Sequence, residues 1–220
     1  MMQTATNDAE RMDRHYRFQR HIYDATRTHY LIGRRHLIAE LKPAAGETIL
    51  EIGCGTAWNL IRCAERYPAA RIFGVDVSNA MLDTARASIR RRGFEQRITL
   101  AQADATRLSA AEKFGIPTFD RVFFSYALSM IPGWRDALTI AAGHVAPGGQ
   151  IHIVDFGQCE DLPLAFKKAL FAFLDHYTVT PRADLEQEVR KVAANHGLEP
   201  SFYRLHRGYT NYAKLVRPKG

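Results

Sequence analysis

The chain has 220 residues, of which 46% are hydrophobic and 24% charged, with a formal net charge of +7. That length supports one domain with a real core and appended helices, and the composition is that of a globular rather than a disordered protein. No window approaches the roughly 18 uninterrupted apolar residues of a membrane-crossing helix. The start, MMQTATNDAERMDRHYRFQRH, lacks the apolar segment of a secretory signal.

Cys54, Cys63 and Cys159 contain no Cys-x-x-Cys pair, which argues against a disulfide framework or a zinc site and for a reducing cytoplasm. The nine histidines show no metal-ligand spacing, so no metal is expected. The basic excess is uneven: Arg11 to His36 holds seven arginines against two aspartates, a net +5, and RRRGFEQR at 90–97 is a second cluster. Such an excess calls for an acidic partner, a nucleic acid or an anionic membrane surface, or serves solubility alone.

Residues 8–41 read as helix, rich in arginine and alanine with Gly33 as the one glycine, and KPAAGE (42–47) breaks it. TILEIG is a buried strand, and a helix over 56–67 ends before Pro68. RIFGVDV is the second strand; Ser78 caps a helix over 79–92 that Gly93 closes. RITLAQAD and FDRVFFSYAL are the third and fourth strands, followed by a helix near 134–146, the turn APGG and a fifth strand, QIHIVDFG. DLPLAFKKALFAFLDHY and RADLEQEVRKVAANHG are two further helices, and PSFYRLHRG with YTNYAKLVRP makes a closing antiparallel pair. Strands alternating with helices imply an α/β protein with a mainly parallel sheet covered on both faces. Ligands of such sheets bind at the carboxyl ends of the strands. Gly53, Asp76, Asp104 and Tyr126 all fall at or just past strand ends, so four separated residues converge on one crevice.

The turn ILEIGCGTAW (49–58) decides between two cofactors. Gly53 and Gly55 let a ligand approach the backbone closely. The dinucleotide fingerprint G-x-G-x-x-G needs a third glycine where this chain has Trp58, and an indole there holds helix and strand apart. The alternative pattern, an acid followed by x-G-x-G-x-G, is met by Glu51, Gly53 and Gly55, with Ala57 in the last position. Taken singly, the turn also fits an ordinary strand-to-helix connection, and Asp76 a helix cap. In order, they are joined by Asp76 where a carboxylate accepts both ribose hydroxyls, by Asp104-Ala105 where an adenine edge would lie, and by PGG before the fifth strand.

On these residues the chain resembles the class I S-adenosylmethionine-dependent methyltransferases over roughly 46–216. The resemblance implies a three-layer Rossmann-like fold with a seven-stranded, mostly parallel sheet of order 3-2-1-4-5-7-6, the last strand antiparallel. It implies two parts, an N-terminal helical cap over 1–45 and a cofactor-binding core over 46–220. It also implies S-adenosylmethionine as cofactor: Gly53 and Gly55 flank the methionine part with Glu51 nearby, Asp76 binds ribose with Val77 and Met81 beside it, Asp104 and Ala105 meet adenine, and Tyr126 faces the methyl donor. Tyr23 and Arg34 of the N-terminal segment join that cofactor set.

The acceptor is read from the additions to the core. Tyr16, Arg20, Tyr23, Arg27, Tyr30 and Arg34 follow steps of three or four, which puts them on one helical face. That face is either an exposed arginine surface over core aromatics or a cap with tyrosines near the methyl group and arginines pairing carboxylates. The segment LPLAFKKALFAFLDHYTVTPR is apolar around most of its circumference, either as a core helix or as a wall for acyl chains laid on a bilayer. RFQRHIYDATRTHYLIGRRHLI (17–38), with LEIGCGTAWNL and TPRADL, is similar to the N-methyltransferases of betaine-lipid synthesis. These methylate diacylglycerylhomoserine to diacylglyceryl-trimethylhomoserine. The matching positions are Tyr23, Asp24, Thr26, Arg27, Gly33 and Arg34. This similarity implies Tyr16, Tyr23 and Tyr126 as catalytic residues holding the amine, and Arg20, Arg27 and Tyr30 as substrate-binding. It implies a diacylglyceryl lipid as substrate and a peripheral position on the inner, anionic face of the cytoplasmic membrane, with no nucleic-acid partner. The nearest alternatives are a phosphatidylethanolamine N-methyltransferase, a methyltransferase of another small amine or of nucleic acid, and a non-catalytic lipid- or nucleotide-binding protein.

Overall fold

A computed structural model of the chain describes residues 30–219. Seven strands form one sheet: β1 Thr48–Ile52, β2 Arg71–Asp76, β3 Ile98–Gln102, β4 Phe119–Ser125, β5 Val145–Phe156, β6 Glu199–Leu205 and β7 Thr210–Val216. Their spatial order is 3-2-1-4-5-7-6, the one expected from the resemblance. The first five are parallel, and β7 inserts antiparallel between β5 and β6. The APGG turn lies within β5, at a register irregularity that moves the partner of β4 from Val145 to Gln150.

The helices are α1 Arg34–Leu41, α2 Trp58–Arg66, α3 Asn79–Arg91, α4 Ala110–Phe114, α5 Trp134–Gly143, α6 Leu164–His176 and α7 Leu185–His196. The short α4 and the 3-10 turn Ala105–Arg107 before it occupy a stretch to which the sequence pattern assigns no element. Alternate strand residues face opposite ways, and the core divides accordingly. Leu50, Val75, Val122, Phe124 and Ile151 pack on α5 and α7. Ile49, Ile72, Phe123 and Val154 pack on α1, α2 and α3 on the other face. The result is a three-layer α/β fold.

Two helix ends are closed by arginines. The C-terminal carbonyls of α1, at Leu41 and Lys42, accept bonds from the buried Arg121 guanidinium. At the end of α2, Arg97 donates to the carbonyls of Ala64, Tyr67 and Ala70. Arg97 of the second basic cluster is thus a structural cap, placed where cations offset the helix dipole.

The single helix expected over 8–41 is interrupted within the described part. Residues 31–33 are not helical, Gly33 has φ 92° and α1 starts at Arg34. Two phenols stabilise the break from outside. Tyr126 and Thr210 donate hydroxyl bonds to the Ile32 carbonyl, and Tyr209 donates to the Tyr30 carbonyl at 2.9 Å. A methyl group on Gly33 would stand 3.0 Å from Val154 and 3.1 Å from Thr210, so the backbone passes too close to the sheet for a larger residue. Tyr30 and Arg34 therefore do not share one continuous helical face. Tyr16, Arg20, Tyr23 and Arg27 lie outside the described residues.

Candidate active site

The carboxyl ends of β1, β2 and β4 adjoin, and the glycine turn crosses their mouth. Gly53 (φ 78°), Gly55 (φ 52°) and Ala57 (φ 68°) are all left-handed, so the turn demands positive φ at three places. Ala57 meets the demand at the cost of strain, roughly 1–2 kcal/mol for an L residue. The glycines answer different constraints. A methyl on Gly53 would sit 2.8 Å from the Ala127 side chain, in the loop after β4. One on Gly55 would meet nothing within 4 Å, so that face of the turn is open to a ligand.

Asp76 ends β2 and fixes the turn. One carboxylate oxygen accepts the Gly55 N–H at 2.8 Å, and the other accepts the Ser78 N–H at 3.0 Å. Ser78 in turn caps α3 by accepting the N–H of the buried Met81 at 3.3 Å. The Val77 carbonyl accepts a bond from the Gln102 side chain. The Ala103 N–H donates to the Asp76 carbonyl at 3.0 Å, which brings Asp104 and Ala105 to the same edge. Asp104 is exposed, and its carboxylate accepts both the amide and the hydroxyl of Thr106 as the cap of the 3-10 turn. Glu51 lies beneath the glycines, 1% exposed, and accepts the Asn59 amide at 2.6 Å. Asn59, on the first turn of α2, is a positioning residue that the sequence pattern did not reveal.

Close packing of helix on sheet is achieved away from the turn. Trp58 occupies the third-glycine position, and its ring lies under the Arg34 guanidinium at 4.0 Å. The near approach falls instead at Gly74 in β2, where a methyl would stand 2.5 Å from Leu60 Cδ1 and 3.1 Å from Cys54. This is the spacing a dinucleotide fold takes from its third glycine, relocated onto a strand.

Tyr126 follows β4 with φ 55° and is 2% exposed. Burial pushes its hydroxyl far above the usual phenol range, and that hydroxyl is committed to Ile32 and Thr210. What Tyr126 offers a ligand is its ring. It lines a small cleft together with Tyr30, Leu31, Met130, Phe156, Phe173, Leu174, Tyr177 and Val179. The cleft encloses about 10 Å³, the room of one water. Behind it the buried Asp155 has both oxygens engaged, accepting the N–H groups of Ser129 at 3.0 Å and Phe156 at 2.8 Å. Burial raises its pKa. The loop after β4 is held by Arg182, whose guanidinium donates to the carbonyls of Leu128 and Ile131, so the TPRADL segment has a loop-positioning role. A second, more open cleft of about 270 Å³ between α2 and α3 is basic, lined by Arg62, Arg91 and Arg92 with Trp58.

Residues 49–149 match the family model described as a methyltransferase domain. These residues, from β1 into β5, form a methyltransferase domain. The chain is 28% identical over 167 residues to the phosphatidylethanolamine N-methyltransferase of Cereibacter sphaeroides, covering 70% of this chain and 78% of that protein. It is 29% identical over 136 residues to methyltransferase GfsG of Streptomyces halstedii, but spans only 46% of that relative's length. It spans 50% of the demethylmenaquinone methyltransferase of Lactobacillus johnsonii, at 29% identity over 57% of this chain. Among solved structures, phosphoethanolamine N-methyltransferase 2 of Haemonchus contortus, bound to S-adenosylmethionine, superposes with a TM-score of 0.65 at 18% identity, covering 84% of this chain and 52% of that one. The YcgJ protein of Bacillus subtilis superposes with a TM-score of 0.66 at 14% identity, covering 86% and 99%. The cofactor is S-adenosylmethionine, and the methyltransferase core fits it on its own geometry. The open face of Gly55 and the strand-end carboxylate of Asp76, with Asp104 at the same edge, suit a ribose and an adenine. Among the described residues no helix is long and apolar enough to cross a membrane.

Proposed function

We propose that this protein transfers methyl groups successively to the amine of diacylglycerylhomoserine, forming the betaine lipid diacylglyceryl-trimethylhomoserine while docked peripherally on an anionic membrane surface. Helix α6 carries the lipid part of this reading. Leu174 is its buried residue, whereas Leu164, Phe166 and Phe173 are 66%, 46% and 43% exposed. An ordinary core helix would bury such side chains; these stand in solvent, and Phe173 also lines the cleft together with Leu174. Lys167 and Lys168 on the same helix and the arginines of the basic cleft suit an anionic surface.

Bound in the crevice, the cofactor supplies an activated methyl group, so the chain has to align an amine and exclude water. Alignment can contribute up to about 7–11 kcal/mol. Among the described residues no carboxylate or histidine lines the cleft, and Asp155 behind it already accepts two backbone bonds. The described residues thus offer the amine no side-chain base within the cleft. The homoserine carboxylate is assigned to Arg20 or Arg27 of the N-terminal segment, by the betaine-lipid resemblance.

The similarity to a phosphatidylethanolamine N-methyltransferase over most of that protein favours ethanolamine lipid as a second reading. Incubation with S-adenosylmethionine and each lipid, followed by mass analysis, separates the two. Mass gains of one to three methyl groups on diacylglycerylhomoserine are expected; gains on phosphatidylethanolamine alone would transfer the assignment, and gains on neither would end it.

A further inference from the structure

The walls of the cleft are mostly aromatic, and they touch one another. Tyr126 meets Phe156 edge-on at 4.6 Å, Phe156 stacks with Tyr30 at 6.5 Å, Tyr30 meets Phe173 at 5.8 Å, and Phe173 meets Tyr177 at 5.0 Å. Among the described residues, three acceptors near the cleft already receive hydrogen bonds. The Ile32 carbonyl is held by Tyr126 and Thr210, the Tyr30 carbonyl by Tyr209, and Asp155 by two backbone amides. A primary ammonium entering here would lose its water and find ring faces in place of oxygens, which is unfavourable. An ammonium whose hydrogens are replaced by methyl groups loses little water and keeps its attraction to the rings.

We propose that Tyr30, Tyr126, Phe156, Phe173 and Tyr177 form an aromatic box for methylated onium groups. The inference rests on the amine reading above and deepens it. A primary amine is accepted only as the neutral base, while each methyl group added makes the charged head group more welcome. The partly methylated lipid must still lose its proton before it can accept the next methyl group, so the box favours its rebinding over that of the primary ammonium, and the trimethylated product, with no proton to lose, is a ligand of the same box. A trimethylammonium group needs more room than one water, and Phe173, with solvent behind it, is the wall that yields.

The test loads the full chain with S-adenosylhomocysteine, whose neutral thioether does not compete for the rings, and follows ligand binding by saturation-transfer NMR. Tetramethylammonium and choline should bind at least about 10-fold more tightly than methylammonium, equivalent to about 1.4 kcal/mol. Choline should also outbind its uncharged isostere 3,3-dimethylbutanol. Phe173→Leu and Tyr177→Leu should each weaken choline binding by about 5-fold or more while affinity for S-adenosylhomocysteine holds; Phe173 is exposed enough that its replacement leaves folding intact. Equal binding of methylammonium and tetramethylammonium, equal binding of choline and its isostere, or indifference to both substitutions would overturn the proposal. The lipid assay reads the function separately. Loss of choline selectivity in a chain that still methylates an aminolipid refutes the box alone. Onium selectivity in a chain that methylates no aminolipid refutes the function alone.

Discussion

Replacing Gly74 with alanine tests how α2 is seated over the cofactor crevice. The added methyl would stand 2.5 Å from Leu60 Cδ1 and 3.1 Å from both Cβ and Sγ of Cys54, whereas carbon atoms in contact rest about 3.5–4.0 Å apart. Leu60 is fully buried and cannot swing into solvent, so it must leave its rotamer or α2 must rise by about 1 Å. Overpacking of this kind costs about 1–3 kcal/mol, and the lower chain entropy of alanine returns about 0.4–1 kcal/mol. The net loss is then about 1–2 kcal/mol, or a melting point about 2–8 °C lower for a domain of this size. Because α2 carries Asn59 and follows directly on Ala57 of the glycine turn, affinity for S-adenosylmethionine should fall with it. Thermal unfolding and calorimetric titration read the two effects. Leu60→Val removes one carbon from the collision, so the double variant should be more stable than the sum of the two single losses by about 0.5 kcal/mol or more. Strict additivity, or a Gly74→Ala protein that melts with the parent, would refute this seating of the helix.

Asp76→Ala removes the acceptor of the Gly55 and Ser78 amides along with the carboxylate meant for ribose; with about 1.5–3 kcal/mol per bond to a charged group, affinity for S-adenosylmethionine should drop by about 10-fold or more in calorimetry, and unchanged affinity would remove Asp76 from the site. Burial lowers the pKa of His152 to about 3, against 6.5 when exposed. The unfolded chain therefore binds the extra proton between those values, and stability should fall as pH drops below about 6.5, by at most about 1.4 kcal/mol per pH unit. Buried Asp155 acts in the opposite sense, so the check is the difference in urea unfolding between the parent and His152→Gln, whose curve should be flatter; parallel curves would exclude His152 as the source. Binding to anionic vesicles should fall with added salt, with neutral lipid and in Phe166→Asp, as sedimentation would show; equal binding under all three changes would exclude interfacial docking by α6.

The candidate site divides according to how local its causes are. Glu51, Gly53, Gly55 and Asp76 were legible because strand ends and a tight turn are set by neighbours in sequence, and parallel connection rules bring such ends together. Ser78 as a cap and Gly93 as a terminator were readable for the same reason, since capping acts within one helical turn. Residues doing their work over long separations were not. Gly74 makes room for Leu60 across the helix–sheet interface, Arg182 grips a loop more than fifty residues earlier, and Tyr209 holds the carbonyl of Tyr30 across 179 residues.

The break before α1 shows the limit. Periodicity ran through Tyr30 and Arg34 as one helical face, and a lone glycine in a helix costs only about 1 kcal/mol. Hydroxyls from the ends of β4 and β7 supply the carbonyls of residues 30 and 32 with partners outside any helix, and close contact with Val154 and Thr210 leaves room there only for glycine. The apolar segment 161–177 is the converse case. Its composition fitted a core helix and a lipid-facing wall equally, because hydrophobicity states a preference for leaving water without naming where. By itself the sequence determined the alternating strands and helices of an α/β protein, the glycine turn and the charge of the chain, all consequences of local pattern, while the strand order came from the family resemblance. The tertiary structure alone decided that α6 leaves Leu164, Phe166 and Phe173 in solvent, and that aromatic rings from β5, α6 and the residues before α1 close around one cleft. Only the packed sheet brings those distant segments within reach of one another.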